Sequence, residues 1–336
     1  MLKIKILPAN CGDCILISFD DKNGIKNILV DGGAGKVYEN VLKNEVIKIK
    51  NKKQKIDLLI VTHIDNDHIG GIIKFIEDDE YNDCIETVWF NSWTNYNHKA
   101  YKLSNEGNTV SASHARTLEN KLKELNIWCN KEIKQGIEYK FEKAKITVVS
   151  PDNKNLENLV KYIKDEFEVS ETDDRSKSIE FLQQRIFKED IAIPNGSSIA
   201  FIFEYETNNQ KRKILFTGDS FPSVVLAGLK ETQSFDKNEK IKFDYVKLSH
   251  HASKYNTSDE LLKYIKCKNY IITTQGCNGK PNKETFARIL KYHKPINLFF
   301  NYKNEKIVKL FSPDEIKNLN INYLSENKEQ YIIEVC

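Results

Sequence analysis

Runs of roughly four to eight apolar, β-branched residues recur along the chain, separated by longer stretches in which apolar positions return at helical spacing. The short runs predict strands over Lys3 to Leu7, Cys14 to Phe19, Asn27 to Val30, Ile56 to Val61, Thr87 to Phe90, Lys145 to Val149, Ser198 to Tyr205, Lys213 to Phe216, Asp244 to Leu248, Tyr270 to Thr274 and Ile296 to Phe300. A strand-like tail at Tyr331 to Val335 completes a sheet. The amphipathic stretches predict helices over Val37 to Ile49, Gly70 to Glu77, Ser111 to Leu125, Leu156 to Asp165, Ser178 to Phe187, Pro222 to Leu229, Ser258 to Ile265 and Lys283 to Tyr292. Alternation of this kind means α/β layering. No repeat of fixed period and no Gly/Ser-rich or Pro-rich linker divides the chain. A single domain over 1–336 is therefore expected, with a surface insertion around 155–190 that includes the solvated polar stretch Ser170 to Ser178.

The pattern breaks in an informative way where certain strands end. The run up to Val61 delivers THIDNDHIGG, which places His63, Asp65, Asp67 and His68 within six consecutive residues. Carboxylates this close repel one another unless a cation or protons compensate them. Helix capping accounts for one aspartate, or two, because acids suit a helix start. It leaves the two histidines and the Gly70-Gly71 pair, which lets backbone approach closely, without a role. A second strand, in ILFTGDS, ends by exposing Asp219, although a Gly-Asp pair there is also an ordinary turn. A third, in KLSHHASKYNTS, ends in His250 and His251. Four of the seven histidines thus fall in two strand-end motifs, which favours one shared metal site.

Composition narrows the class without changing that reading. Hydrophobic residues make up 40% of the chain, and no apolar run approaches the roughly 20 residues a membrane helix needs. The opening MLKIKILPAN lacks the apolar core of a secretory leader, so a cytoplasmic protein without a membrane role is expected. Fifty-one basic residues against 48 acidic ones leave a net charge of +3, which neither requires nor excludes a nucleic-acid partner. Seven cysteines in a chain of this kind imply reduced thiols rather than a disulfide framework, and CGDC at Cys11 to Cys14 opens no helix of the sort a redox motif needs.

Taken jointly, CGDCILISF, ILVDGG, THIDNDHIGG, NGSSIAF, FTGD and LSHHAS resemble, in order, the motifs of the metallo-β-lactamase superfamily. The nearest resemblance is to the lactamase-like domain of competence-type DNA-uptake channels (ComEC), here without the channel. NGKPNKETFARIL extends the likeness to Leu290. The resemblance implies an αββα sandwich, two mixed β-sheets face to face with helices outside and two divalent ions, zinc or manganese, at one edge. His63 and Asp65 would hold the first ion, Asp67 and His68 the second, with Asp219 bridging and His250 completing the second set; His251 competes for that last place. Asp31 would support the signature loop from behind. Asp65 stands where most of the superfamily has histidine, which enriches the site in oxygen and makes manganese a live alternative. No histidine lies between His114 and His250, so Asn195 or Ser197 stands near the third-motif position.

The implied reaction is hydrolysis by metal-activated water, with Asp67 orienting the nucleophile and His251 able to protonate the leaving group. The substrate expected from the resemblance is a phosphodiester in nucleic acid or a nucleotide, contacted by Ser253, Lys254 and Lys280. Trp89, Phe90 and Trp93 could stack bases, although core packing explains such aromatics more often. His98, His114 and His293 read as structural or surface histidines. The alternatives are a lactam, thioester or lactone hydrolase of the same fold, or a binding component of a multi-protein system.

Overall fold

The computed structural model describes residues 1–92, 110–161, 173–207, 210–232, 239–317, 319–327 and 329–335. Its strands, in chain order, are β1 Leu2–Ile6, β2 Ile15–Asp21, β3 Gly24–Val30, β4 Leu58–Val61, β5 Val88–Phe90, β6 Glu138–Lys140, β7 Ala144–Ser150 and β8 Ala200–Thr207. They continue as β9 Gln210–Phe216, β10 Ile241–Lys242, β11 Tyr245–Lys247, β12 Ile265–Lys266, β13 Asn269–Ile272, β14 Asn297–Phe300, β15 Asn320–Tyr323 and β16 Ile332–Glu334. One sheet runs β16-β1-β2-β3-β4-β5 and the other β15-β14-β13-β11-β9-β8-β7-β6, while β10 and β12 form a small parallel pair. Each large sheet is mixed: β1, β2 and β3 are antiparallel neighbours, whereas β3, β4 and β5 run parallel, as do β9, β11, β13, β14 and β15.

Two faces of each sheet are buried for different reasons. Ile4, Ile17, Phe19 and Ile60 from the first sheet meet Ile146, Phe201, Phe203 and Ile214 from the second in the core between them. Leu29, Leu59 and Val61 point the other way, where the helices Lys43–Asn51, Asn66–Glu77 and Val110–Glu124 cover them with Val46, Ile72, Phe75 and Leu118. Ile202, Leu215 and Ile272 do the same on the second sheet, under the helices Pro222–Thr232, Asp259–Tyr264 and Lys283–Tyr292. Burial on both sides is why β4 reads as an unbroken LLIV run rather than an alternation. Each such aliphatic or aromatic side chain contributes roughly 1.5–3 kcal/mol. The result is the αββα sandwich of two mixed sheets expected from the sequence.

The glycine pair of the signature is explained by contact. A Cβ on Gly71 would lie 2.0 Å from the Gly32 carbonyl oxygen, so the helix Asn66–Glu77 rests directly on the backbone that follows β3. Likewise a Cβ on Gly12 would lie 1.7 Å from the Asp67 carbonyl oxygen, which presses the turn after β1 against the signature loop.

Several expectations need correction. The helix over Ser178 to Phe187 is only Ile179–Leu182 long, because Leu182 finds a core while Phe181 and Ile186 stay exposed with no layer to pack on. The polar stretch Ser170 to Ser178 is described from residue 173, and there Asp174 is buried rather than solvated. Its carboxylate accepts the Lys283 and Glu284 amides at 3.0 and 2.8 Å, capping the helix Lys283–Tyr292. The helix predicted over Leu156 to Asp165 is seen as Asn153–Lys161, and positions 162–165 lie outside the described residues. β6 and β15, at the two edges of the second sheet, escape the sequence reading because their polar composition carries little strand signal. The expectation of reduced thiols fails for one pair: Cys11 and Cys277 form a disulfide across 266 residues, which no local spacing could reveal. Cys14, Cys84, Cys129 and Cys267 are free. Among the described residues no helix is long and apolar enough to cross a membrane.

Candidate metal centre

The C-terminal ends of β3, β4, β9, β11 and β13 open at one edge of the sandwich, and the loops that leave them carry Asp31, the 62–68 signature, Asp219, the 249–252 turn and Thr273. Asp65 stands at the N-cap of the helix Asn66–Glu77, yet its side chain makes no capping bond. It is turned toward His63 instead, with Oδ2 3.4 Å from Nε2.

Asp219 Oδ2 lies at the centre of the cluster. It is 3.5 Å from His68 Nε2, 3.7 Å from His250 Nε2, 3.7 Å from His251 Nε2 and 3.9 Å from His63 Nε2. Asp67 reaches His251 Nε2 at 3.6 Å with one oxygen and His68 Nε2 at 4.0 Å with the other. Two ligand atoms sharing a tetrahedral ion at about 2.0–2.2 Å stand roughly 3.3–3.6 Å apart, so these separations suit a common cation. Two triplets, His63 with His68 and Asp219, and Asp67 with His68 and His251, each bring their ligand atoms within 4.8 Å of one another.

The satisfaction of polar atoms gives an independent test. His63 Nε2, His68 Nε2, His251 Nε2 and Asp219 Oδ1 are all buried without a hydrogen-bond partner. Each would ordinarily cost about 1–3 kcal/mol. Their opposite ring nitrogens, by contrast, are engaged. His68 Nδ1 donates to Asp31 Oδ2 at 2.8 Å, His251 Nδ1 to the Thr273 carbonyl at 2.7 Å, and His63 Nδ1 to Thr62 Oγ1 at 3.0 Å. Those bonds fix the tautomers so that every Nε2 lone pair faces the centre, which is how metal-binding imidazoles are held. The residues present therefore fit divalent cations.

Charge tells the same story. Burial alone would raise the Asp219 pKa, but His68, His251 and His250 hold it well below the usual carboxylate range. Burial alone would lower that of His68, and Asp219, Asp67 and Asp31 outweigh it, leaving the ring far more basic than usual. The carboxylates that favour a proton on His68 would equally favour a cation, and metal binding there would release that proton.

His250, His251 and Ala252 adopt left-handed backbone with φ of 49°, 55° and 66°. Three consecutive non-glycine residues there cost on the order of 1–2 kcal/mol each, strain of the kind held at functional sites. The turn sends the two rings in different directions. His251 is buried with Nε2 free, whereas His250 Nε2 accepts from the Lys280 ammonium, and its Nδ1 faces Asn256 Oδ1 at 3.1 Å and Asp190 Oδ2 at 3.4 Å.

The structure brings His63, Asp65, Asp67, His68, Asp219, His250 and His251 together. Asp31 accepts from the Thr62 amide and hydroxyl, both at 2.7 Å, as well as from His68. Asn195 is within 3.4 Å of His250 Nδ1 and donates to Asp190 Oδ2 at 2.7 Å. The Ser197 hydroxyl turns away to the Pro194 carbonyl; its neighbour Ser198 accepts the Asp219 amide at 3.0 Å. Ser253 and Lys254 are buried, the Ser253 amide donating to the His250 carbonyl at 2.9 Å and the Lys254 ammonium lying over the Tyr255 ring, while the Lys280 ammonium stands at His250 Nε2. Trp89 and Phe90 are core residues, His293 bonds Tyr270 and the Ile265 carbonyl, and His114 is half-buried. Trp93 and His98 lie outside the described residues.

Sequence reading missed Asp13, Asp190, Lys247, Asn256, Ser198 and Thr273. Asp13 sat in CGDC, weighed only for its thiols, and Lys247 is a lysine closing an apolar strand. Asp190 has no local signal. Burial alone would raise the Asp190 pKa, yet the hydrogen bond and charge of His250, with the Ala192 amide and the Asn195 side chain, hold it down to about 2. Its folded value is below the ordinary one, so the stabilisation is present above the ordinary carboxylate value and is lost as pH falls toward 2. The expected size is about 2 kcal/mol. In urea titrations of the metal-free protein at pH 6 and pH 3, the stability advantage of the parent over Asp190→Asn should shrink at the lower pH.

The sequence profile of the Metallo-beta-lactamase superfamily matches residues 12–275, which span every residue of the cluster. Among curated proteins no match is found. Similar solved structures include a metal-dependent hydrolase of the beta-lactamase superfamily, at 13% identity and a TM-score of 0.39, covering 100% of this chain and 99% of that one. Metallo-beta-lactamase GOB-18 from Elizabethkingia meningoseptica aligns at 13% identity and a TM-score of 0.37, covering 83% of each chain. A class B3 di-zinc metallo-beta-lactamase from an Alaskan soil metagenome aligns at 13% identity and a TM-score of 0.35, covering 70% of this chain and 75% of that one.

Proposed function

The chain belongs to the metallo-beta-lactamase superfamily, and on that premise we propose a metal-dependent hydrolase that cleaves phosphodiesters, in nucleic acid or in a nucleotide. His63, Asp65 and Asp219 would hold one cation, and Asp67, His68, His251 and Asp219 the other. His251 closes the second set rather than His250 because its Nε2 is the unengaged one and its Nδ1 is anchored on the Thr273 carbonyl. When bound, the two cations would activate a water as nucleophile and take up charge on the atom under attack.

The observation that carries the phosphodiester reading is Lys280, whose ammonium stands at His250 Nε2 beside the cluster. A fixed ammonium at that edge matches the non-bridging oxygens of a phosphate and offers little to a neutral lactam. The oxygen-rich set made by Asp65, Asp67 and Asp219 also suits the hard cations used with phosphate esters. Asp67, part-exposed beside His251, orients the attacking water. His250, held from behind by Asn256 and Asp190, accepts from the Lys280 ammonium through Nε2 and so steadies the ammonium that would meet the leaving oxygen.

The test is a screen of bis-p-nitrophenyl phosphate, single- and double-stranded DNA, RNA and a lactam, with zinc or manganese supplied. At least one phosphodiester should be cleaved by the parent, and Asp67→Ala should reduce that rate by about 10³-fold or more. Turnover of the lactam alone, or a variant as active as the parent, would reject this reading.

A further inference from the structure

Lys247 is 1% exposed, an unusual place for a lysine, which is rarely fully buried without a specific partner. It is the last residue of β11, in register with Phe216 and Ile271, and its backbone carbonyl accepts from Thr217 Oγ1 at 2.6 Å. Its ammonium pairs with Asp13 Oδ2, donates to the Gly218 carbonyl at 3.1 Å and stands 3.9 Å from Asp219 Oδ1. Asp13 in turn uses Oδ1 to accept from Thr273 Oγ1 at 2.5 Å, and the same oxygen is 3.5 Å from His251 Nδ1. One ammonium therefore reaches, directly or through a single carboxylate, both the central aspartate and the histidine that closes the second set. It faces Asp219 Oδ1, whereas the four histidine Nε2 atoms gather at Oδ2.

We propose that Lys247, with Asp13, is a positioning residue of the metal centre: the pair holds the Asp219 carboxylate and the His251 ring in the orientation that ligates. The inference rests on the metal-hydrolase reading but not on the choice of phosphodiester. Fold stability is a poor explanation for the pair, because two charges removed from water lose about as much as they gain. Replacing a buried ion pair by neutral residues is often neutral or stabilising. Orientation is a better one, since partners behind metal ligands typically govern affinity by about 10- to 100-fold.

The experiment uses the full chain as Lys247→Met and as Asp13→Asn/Lys247→Met. The double variant removes both charges together, so the net charge near the site is unchanged and a change in affinity reports orientation. Zinc affinity is measured by competition with a chromophoric chelator, folding of the metal-free protein by circular dichroism, and ligand geometry by visible absorption of the cobalt(II) form. The double variant is expected to fold, to bind zinc roughly 10- to 100-fold more weakly and to show an altered cobalt spectrum. The single variant, with Asp13 unpaired, should be less stable as well. Zinc binding by a folded double variant as tight as the parent's would overturn the proposal. So would failure of both variants to fold, because the pair would then support the fold rather than the ligands. A parent that binds neither zinc nor manganese would overturn the metal reading itself, and this inference with it.

Discussion

Asp219→Asn should abolish hydrolysis, lowering the rate by about 10⁴-fold or more, while the protein remains folded. The size follows from position: a single oxygen of Asp219 is within 3.9 Å of four histidine Nε2 atoms, so both proposed cation sets would draw on it. An asparagine keeps the volume and can still accept through its oxygen, but it brings no charge to a cluster in which His68, His250 and His251 depend on that carboxylate. Its amide side could also donate to an inward-facing imidazole lone pair and so occupy a nitrogen the cation needs. Metal content should fall together with activity, which separates loss of the site from loss of a purely chemical step. Circular dichroism of the variant should match the parent's, because Asp219 takes no part in any of the three hydrophobic layers.

The second large effect concerns the histidine pair. His251→Ala should remove one bound metal and reduce turnover by about 10³-fold or more, whereas His250→Ala should keep both metals and lose activity through turnover rather than metal content. The contrast follows from what each ring already does. His251 has Nδ1 anchored at 2.7 Å and Nε2 unengaged, while His250 spends Nε2 on Lys280 and leans on Asn256 and Asp190. Elemental analysis of the two variants beside the parent reads the difference directly. The reverse pattern, with metal lost from His250→Ala and retained in His251→Ala, would exchange the two assignments.

Much of this architecture was legible because the decisive signals are local. β4 announces itself by an unbroken apolar run, and the helix after it by the spacing of Ile69, Ile72, Ile73 and Ile76; the polar cluster between them must then lie at a strand end. His63, Asp65, Asp67, His68, Asp219, His250 and His251 were readable because each sits just after such a run. What escaped is what only the closed fold creates. Asp13 and Thr273 are 260 residues apart and meet because β1 and β13 end at the same edge of the sandwich. Cys11 and Cys277 meet there for the same reason. Asp190 arrives from a segment with no periodicity of its own. The choice between His250 and His251 was undecidable along the chain, because it depends on three left-handed residues that turn adjacent rings apart.

The central claim is that three strand ends distant in sequence converge on a set of acids and imidazoles that holds divalent cations. Its most direct test is the metal content of the purified chain after incubation with zinc or manganese and removal of excess by gel filtration, determined by elemental analysis. About two divalent ions per chain are predicted. No bound ion from either metal would contradict the account.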